Sequence, residues 1–271
     1  MMRLININLT LGNNKILDDI TLAVTPGEFV VLAGPNGAGK SSALKVLSGE
    51  HLADNGAVKL GDDNLDRWSL EEQARIRSVL PQDFQLNFNL SALEVVLLGR
   101  LPHEGLTTKK RNVEVAHACL ELTDATHLAT RSFPTLSGGE KQRVQLARIL
   151  AQIWEAMENA RPHYLLLDEP TASLDIEHQL LILELARSFA MKGAGVLAVL
   201  HDLNLSANYA DKLILMKNGR IIESGEPQHI LTPEVIDKVF NVQMTKEWSE
   251  AEKTHYYLPK SISKPPATLS G

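Results

Sequence analysis

The stretch Gly34-Pro35-Asn36-Gly37-Ala38-Gly39-Lys40-Ser41, read as G-x-x-x-x-G-K-S, constrains this chain more than any other. Ahead of it runs Glu28–Ala33, short, apolar and rich in β-formers; behind it, Ser42–Ser48 is apolar at helical spacing. Strand, glycine-rich turn and helix is the context in which this pattern cradles a phosphate. The glycines let backbone N–H groups approach an anion, and the helix start adds orphan donors and the positive end of a dipole. Lys40 would reach the β- and γ-phosphates, and the Ser41 hydroxyl would ligate Mg²⁺. The plainer reading, a glycine-rich turn with a surface lysine, accounts for neither flank.

The chain has 271 residues, 44% of them hydrophobic, enough for one large or two intimate domains. A net charge of −6 argues against nucleic acid as the main partner, because a phosphate-binding surface normally makes a domain basic, though it leaves room for a local basic patch. One cysteine, Cys119, allows no internal disulfide and fits a reducing compartment. No apolar run approaches the roughly 18–20 residues that span a bilayer, and the first residues alternate as a strand does rather than forming a signal-peptide core. The expectation is a cytosolic chain, or one held at a membrane by another protein.

Taken in order, residues 2–9 and Ile16–Val24 read as strands joined at Asn13-Asn14, and Glu28–Ala33 as a parallel strand covered on both faces. Ala57–Leu60 is a short strand, Ser69 and Glu72 make a capping box, and Ile76–Leu80 is a strand ending at Pro81-Gln82. From Ser91 to about Glu158 the pattern is helical (Ser91–Gly99, Lys109–Leu122, Gly138–Met157), an insertion within an α/β domain. Ser137 and Glu140 are spaced as a capping box, with Gly138 and Gly139 between them. A well-capped helix and a second anion site both fit, and the helix by itself favours the cap.

Tyr164–Asp168 is a buried strand running into Glu169, so both carboxylates fall where an α/β sheet places its ligands. Asp168 suits Mg²⁺ held through water, and Glu169 suits taking a proton from an attacking water. Ser173-Leu-Asp175 precedes a helix from Ile176 to Lys192. Val196–Leu200 is another buried strand, ending at His201 and Asp202. Asn218-Gly219 marks a hairpin between Asp211 and Glu223, Glu234–Phe240 reads as a helix, and Ser261–Gly271 has the composition of a flexible end.

With these motifs in this order, residues 1–240 resemble the ATP-binding subunits of ABC transporters. The resemblance implies a P-loop α/β core (1–82 and 160–240) with an N-terminal antiparallel β subdomain, a helical subdomain (83–159), and a C-terminal extension (241–271) with a flexible tail. It implies ATP and Mg²⁺ as cofactors, and two copies head to tail, each nucleotide lying between one copy's Gly34–Ser42 loop and the other's Ser137–Glu140 helix. Gln82 then senses Mg²⁺ and the attacking water, Gly138 and Gly139 meet the γ-phosphate, Asp175 communicates between sites, and His201 contacts the γ-phosphate. A lone subunit should therefore be a poor ATPase. ABC cassettes commonly stack an aromatic on adenine near the end of the first strand; Thr10-Leu11-Gly12 has none, which leaves the choice between ATP and GTP open.

Leu98-Gly-Arg-Leu-Pro-His103 is similar to the importers of iron chelates, haem and cobalamin. The segments Gln152–Pro162 and Val199–Leu205 are similar to ATP-binding proteins of haem import. That implies two permease subunits docked on the helical segment, Asp83–His103 included. It also implies a periplasmic haem-binding protein, and a peripheral position on the cytoplasmic face of a bacterial inner membrane. Ferric siderophore and cobalamin remain alternative cargoes. A soluble ABC-type ATPase of DNA maintenance or translation is the competing class, and the absence of long coiled coils or a second cassette speaks against it. His51, His117, His127 and His178 sit in ordinary contexts and suggest no haem ligand.

Overall fold

Residues 1–82, 88–172, 174–251 and 253–263 are described by a computed structural model of the chain. Strands β1 (Met2–Leu11) and β2 (Asn14–Val24) form an antiparallel pair whose turn falls at Gly12-Asn13, one residue earlier than the sequence suggests. Register irregularities beside Ile7 keep Met2, Leu4, Ile7 and Leu9 all buried. Next come β3 (Phe29–Ala33), α1 (Lys40–Leu47), β4 (Asn55–Leu60) and β5 (Asp63–Asn64), the last two completing a four-stranded antiparallel sheet ordered β2-β1-β4-β5.

Ser69 and Glu72 close the expected capping box on α2 (Leu70–Ile76), which leads directly into β6 (Arg77–Leu80). Ile76, expected in the strand, is the last helical residue, and the chain becomes extended at Arg77. A helical layer follows: α3 (Ala92–Leu98), α4 (Lys109–Leu122) and α5 (Gly138–Glu158), within a residue or so of the expected spans. The chain then alternates through β7 (Tyr164–Asp168), α6 (Ile176–Met191), β8 (Gly195–Val199), α7 (Leu203–Tyr209), β9 (Lys212–Lys217) and β10 (Arg220–Gly225). Asn218 and Gly219 take left-handed conformations (φ 50° and 75°) in the turn between the last two strands, as a two-residue hairpin requires. Helices α8 (Pro227–Ile230) and α9 (Pro233–Phe240) precede a separate hairpin of β11 (Val242–Ser249) and β12 (Thr254–Ile262).

The main sheet is ordered β10-β9-β3-β8-β7-β6, parallel except for β10. Strands β3, β7 and β8 are buried along their whole length, as continuous apolar runs between two layers must be. Phe29 and Val31 face the core shared with α3–α6, whereas Val30 and Leu32 face the core shared with α1 and the antiparallel sheet. The hairpin at 242–262 corrects the sequence reading, which saw no element there and placed a loose end from Ser261: Ser261 and Ile262 are in β12. Residues 264–271 lie outside the described residues, as do 83–87 and Ser173. Among the described residues, no helix is long and apolar enough to cross a membrane.

Candidate functional site: a nucleotide cleft at the carboxyl edge of the sheet

The strand order sets β3, β8, β7 and β6 side by side, so the chain segments that leave their carboxyl ends converge. The loop after β3 supplies Gly34–Gly39, β6 leads to Gln82, β7 ends in Asp168 and Glu169, and β8 leads to His201. Asn36, Gly37, Ala38, Gly39, Lys40, Ser41, Ser42, Gln82, Glu169 and His201 line one open cleft of about 600 Å³.

Glycine is obligatory at Gly34. Its φ is +152°, and a Cβ there would sit 2.1 Å from the Met216 carbonyl oxygen of β9. Lys40, only 5% exposed, curls over its own loop and donates to the Gly34 carbonyl at 2.8 Å and the Pro35 carbonyl at 2.9 Å. Burial pulls its ammonium below the ordinary lysine value, while the Glu169 and Asp168 carboxylates pull it back up. An arriving anion would meet a cation already desolvated and held at the loop.

Beneath the loop, Ser41 Oγ donates to Asp168 Oδ1 at 2.8 Å. Burial pushes the Asp168 carboxyl above the usual aspartate range; the Ser41 hydrogen bond works against that, and the Glu169 carboxylate adds to it. Glu169 is held at both oxygens: Gln82 Nε2 donates to Oε2 at 2.8 Å, and His201 Nε2 lies 2.7 Å from Oε1. Its backbone is left-handed (φ 51°), an uncommon conformation outside glycine, and it marks the point where β7 gives way to the cleft. Two side chains, carried by the chain segments after β6 and β8, thus orient the one carboxylate that follows β7 in the cleft of the phosphate loop.

The remaining expected site residues lie elsewhere. Ser137 accepts from the Glu140 N–H at 3.3 Å, the Glu140 carboxylate accepts from the Ser137 N–H at 2.7 Å, and Arg131 pairs with Glu140 at 2.7 Å. The Ser137 N–H, the Ser137 hydroxyl and Arg131 hold the Glu140 carboxyl below its ordinary value. Gly138 and Gly139 are in plain helical conformation. A Cβ at Gly138 would meet nothing within 4 Å, and one at Gly139 only Leu174 Cδ2 at 3.5 Å. A glycine inside a helix costs about 1 kcal/mol relative to alanine, and among the described residues no close approach calls for one at either position. Asp175 caps α6, accepting from the His178 N–H at 3.0 Å, which with the His178 ring holds its carboxyl low. Leu11 ends β1 at 45% exposure, outside the cleft lining.

Several supporting residues were not read from the sequence. Gln142 Nε2 donates to the Pro170 carbonyl at 3.2 Å, fixing α5 to the segment after Glu169. Gln179 Nε2 donates to the Thr171 and Leu174 carbonyls at 3.3 and 3.0 Å and shapes the turn before Asp175. Gln142 reaches backbone far along the chain and Gln179 the irregular turn just before its own helix, and neither arrangement leaves a signal in single-sequence spacing.

A strand, phosphate loop and helix, with a carboxylate pair at the end of a parallel strand one place removed in the same sheet, define a P-loop nucleotide hydrolase. The chain belongs to the ABC transporter family, which it matches over residues 17–172. It is therefore an ABC-type ATPase. It is 48% identical over 243 residues to the hemin import ATP-binding protein HmuV of Gloeobacter violaceus, covering 90% of this chain and 88% of the relative. It is 47% identical over 238 residues to the protein of the same name from Myxococcus xanthus, covering 88% and 89%. Among solved structures it is similar to a chain of an inward-facing transporter assigned to the metal-chelate type (TM-score 0.79, 26% identity, 96% of each chain). It also resembles the dimeric cassette MJ0796 in a post-hydrolysis state bound to ADP and Pi (TM-score 0.72, 26% identity, 84% of this chain and 99% of that one).

Proposed function

We propose that this chain is the ATP-hydrolysing motor subunit of a bacterial haem importer. In this reading it works as a head-to-tail pair beneath two permease subunits, on the cytoplasmic face of the inner membrane. The observation that carries the chemistry is Glu169, held between Gln82 and His201 at the mouth of a phosphate loop. Loop amides from Gly34 to Ser42 and the Lys40 ammonium bind the triphosphate. Glu169 takes the proton of the attacking water, Gln82 senses that water and Mg²⁺, and His201 meets the terminal phosphate. Ser137–Glu140 and Asp175 of the second copy complete each site; two helical glycines, with open space beside Gly138 and only Leu174 beside Gly139, support that role.

The donors suit Mg²⁺. Ser41, Asp168 and Gln82 offer oxygen atoms only, and among the described residues no group of three or more His, Cys, Asp or Glu could cage a metal. That fits an ion completing its shell with phosphate oxygens and water. When bound, the ion supplies charge neutralisation on the phosphates.

Residues 1–82 and 160–240 serve as the nucleotide-binding core, 83–159 as the helical subdomain that docks the permease, and 241–271 as a C-terminal extension. Haem as cargo rests on the named relatives, and a periplasmic haem-binding protein would deliver it; nucleic acid has no part. The test is ATPase activity in liposomes holding the chain with its co-expressed permease. Haem-loaded binding protein should raise turnover, while siderophore- or cobalamin-loaded protein should not. A rise with one of those chelates and none with haem would give the same machine another cargo.

A further inference from the structure

The helix that follows His201 is too short to hold itself in place. Helix α7 has seven residues, against the roughly 12–15 an isolated helix needs, so its position comes from what it packs against. Much of that support is the C-terminal hairpin. Asn204 Oδ1 accepts the Tyr257 N–H at 2.8 Å, and Asn204 Nδ2 donates to the Tyr257 carbonyl at 3.3 Å. One amide side chain thereby pairs with both backbone groups of a β12 residue, as a neighbouring strand would. One turn on, the Thr254 hydroxyl donates to Asn208 Oδ1 at 3.1 Å. Tyr257 is 1% exposed and belongs to the same apolar core as Leu203.

At the end that carries Asn204, α7 is capped by the residue next to His201. Asp202 accepts from the Asn204 and Leu205 N–H groups at 2.7 and 2.9 Å, which links Asn204 to the residue beside His201. The His201 side chain is 43% exposed and lies 2.7 Å from Glu169 Oε1, so its placement depends on the backbone that carries it. We infer that Asn204 is a positioning residue for hydrolysis: by clamping α7 to the C-terminal hairpin it holds the His201 imidazole against Glu169. This gives the Val199–Leu205 motif and residues 242–262 one shared task, beyond the assignment of cargo.

The test is a double-mutant cycle on the full-length chain with Mg-ATP, followed in single turnover so that slow chemistry stays measurable. Asn204→Ala should lower kcat by roughly 5–20-fold with KM for ATP unchanged, since a displaced catalytic partner costs rate rather than binding. In a His201→Ala background the same substitution should cost less than about 2-fold, because the two residues act as one unit. Wild-type kcat in Asn204→Ala, or an equal loss in both backgrounds, overturns the proposal. If Asn204→Ala fails to fold, Thr254→Val cuts the second tie and enters the same cycle, with a smaller loss expected and the same two outcomes against it.

Discussion

Glu169 and Asp168 are adjacent carboxylates given opposite surroundings. Glu169 opens on the cleft with hydrogen-bond donors on both oxygens, whereas Asp168 is 2% exposed and bonded to Ser41. Glu169→Gln keeps the size and can still pair with Gln82 and His201, yet it cannot take a proton. It should bind ATP as the native chain does and turn over about 10²–10⁴-fold more slowly, read by nucleotide binding and ATPase assays in parallel. Equal turnover would remove Glu169 from the role of base. Asp168 makes a different prediction. Its folded value is raised above its unfolded one, so the folded state holds the proton more tightly. Stability is therefore greatest below the unfolded value and falls as pH rises through the raised one. Asp168→Asn removes that cost, and without nucleotide it should melt roughly 2–4 °C higher at neutral pH, the shift that about 1 kcal/mol produces in a chain of this size. The gap should close in acid, and the variant should lose Mg²⁺-dependent turnover, as sites strained for function do.

At the scale of elements, the Leu98–His103 motif proves to be a joint. A Cβ at Gly99 would sit 2.1 Å from the Arg148 carbonyl, so only glycine lets α3 close on α5. Arg100, 2% exposed, forms a two-pronged pair with Glu155 and also bonds Asn112 at 3.0 Å; His103 Nε2 lies 2.8 Å from the Gln152 carbonyl. Gln152 in turn donates to the Ala74 and Arg77 carbonyls at 2.8 and 2.9 Å, where α2 meets β6 and the chain heads for Gln82. Partial burial would raise the Glu155 carboxyl, but the Arg100 guanidinium holds it below its ordinary value. Arg100→Ala leaves that carboxylate with only the His103 ring, 3.5 Å away, and should cost about 2–4 kcal/mol in denaturant unfolding, around the lower end of what breaking a buried pair costs because Glu155 is partly exposed. Since the pair needs an ionised Glu155, the native chain's advantage is present above the ordinary glutamate range and fades as pH falls through the depressed value.

Most elements were legible in the sequence because continuous apolar runs, capping boxes and the Asn-Gly turn are local signals, as at β3, α2 and the β9–β10 turn. The cleft was legible because its residues follow strand ends. What escaped was long-range or weakly patterned. β11 and β12 mix Lys246, Glu247 and Lys260 with Trp248 and Tyr257 and lack a tight-turn pair, and Asn204, Gln142 and Gln152 act on backbone far away in the chain.

For the whole molecule, the question is whether one copy contains its own catalytic site. The cleft is open, and Ser137–Glu140 are not among its lining residues. Yet Gly138 and Gly139 leave the first turn of a helix without side chains at a surface where, among the described residues, nothing lies within 4 Å of a Cβ placed at Gly138. A bare, dipole-positive helix end is suited to a phosphate brought by another copy. Gly138→Asp separates folding from assembly. Within one copy the new side chain has space, and an acidic residue in a first helical turn is favourable. The monomer should therefore melt no lower than the native chain and bind ATP with native affinity. In the head-to-tail pair proposed above, the carboxylate would face the terminal phosphate of the other copy's nucleotide, and like charges at close range in a poorly solvated interface repel by several kcal/mol. Turnover should fall at least 10²-fold, and ATP-dependent dimerisation of a Glu169→Gln background, followed by light scattering, should vanish. A Gly138→Asp chain that kept native turnover would show that each copy hydrolyses nucleotide without its neighbour's helix.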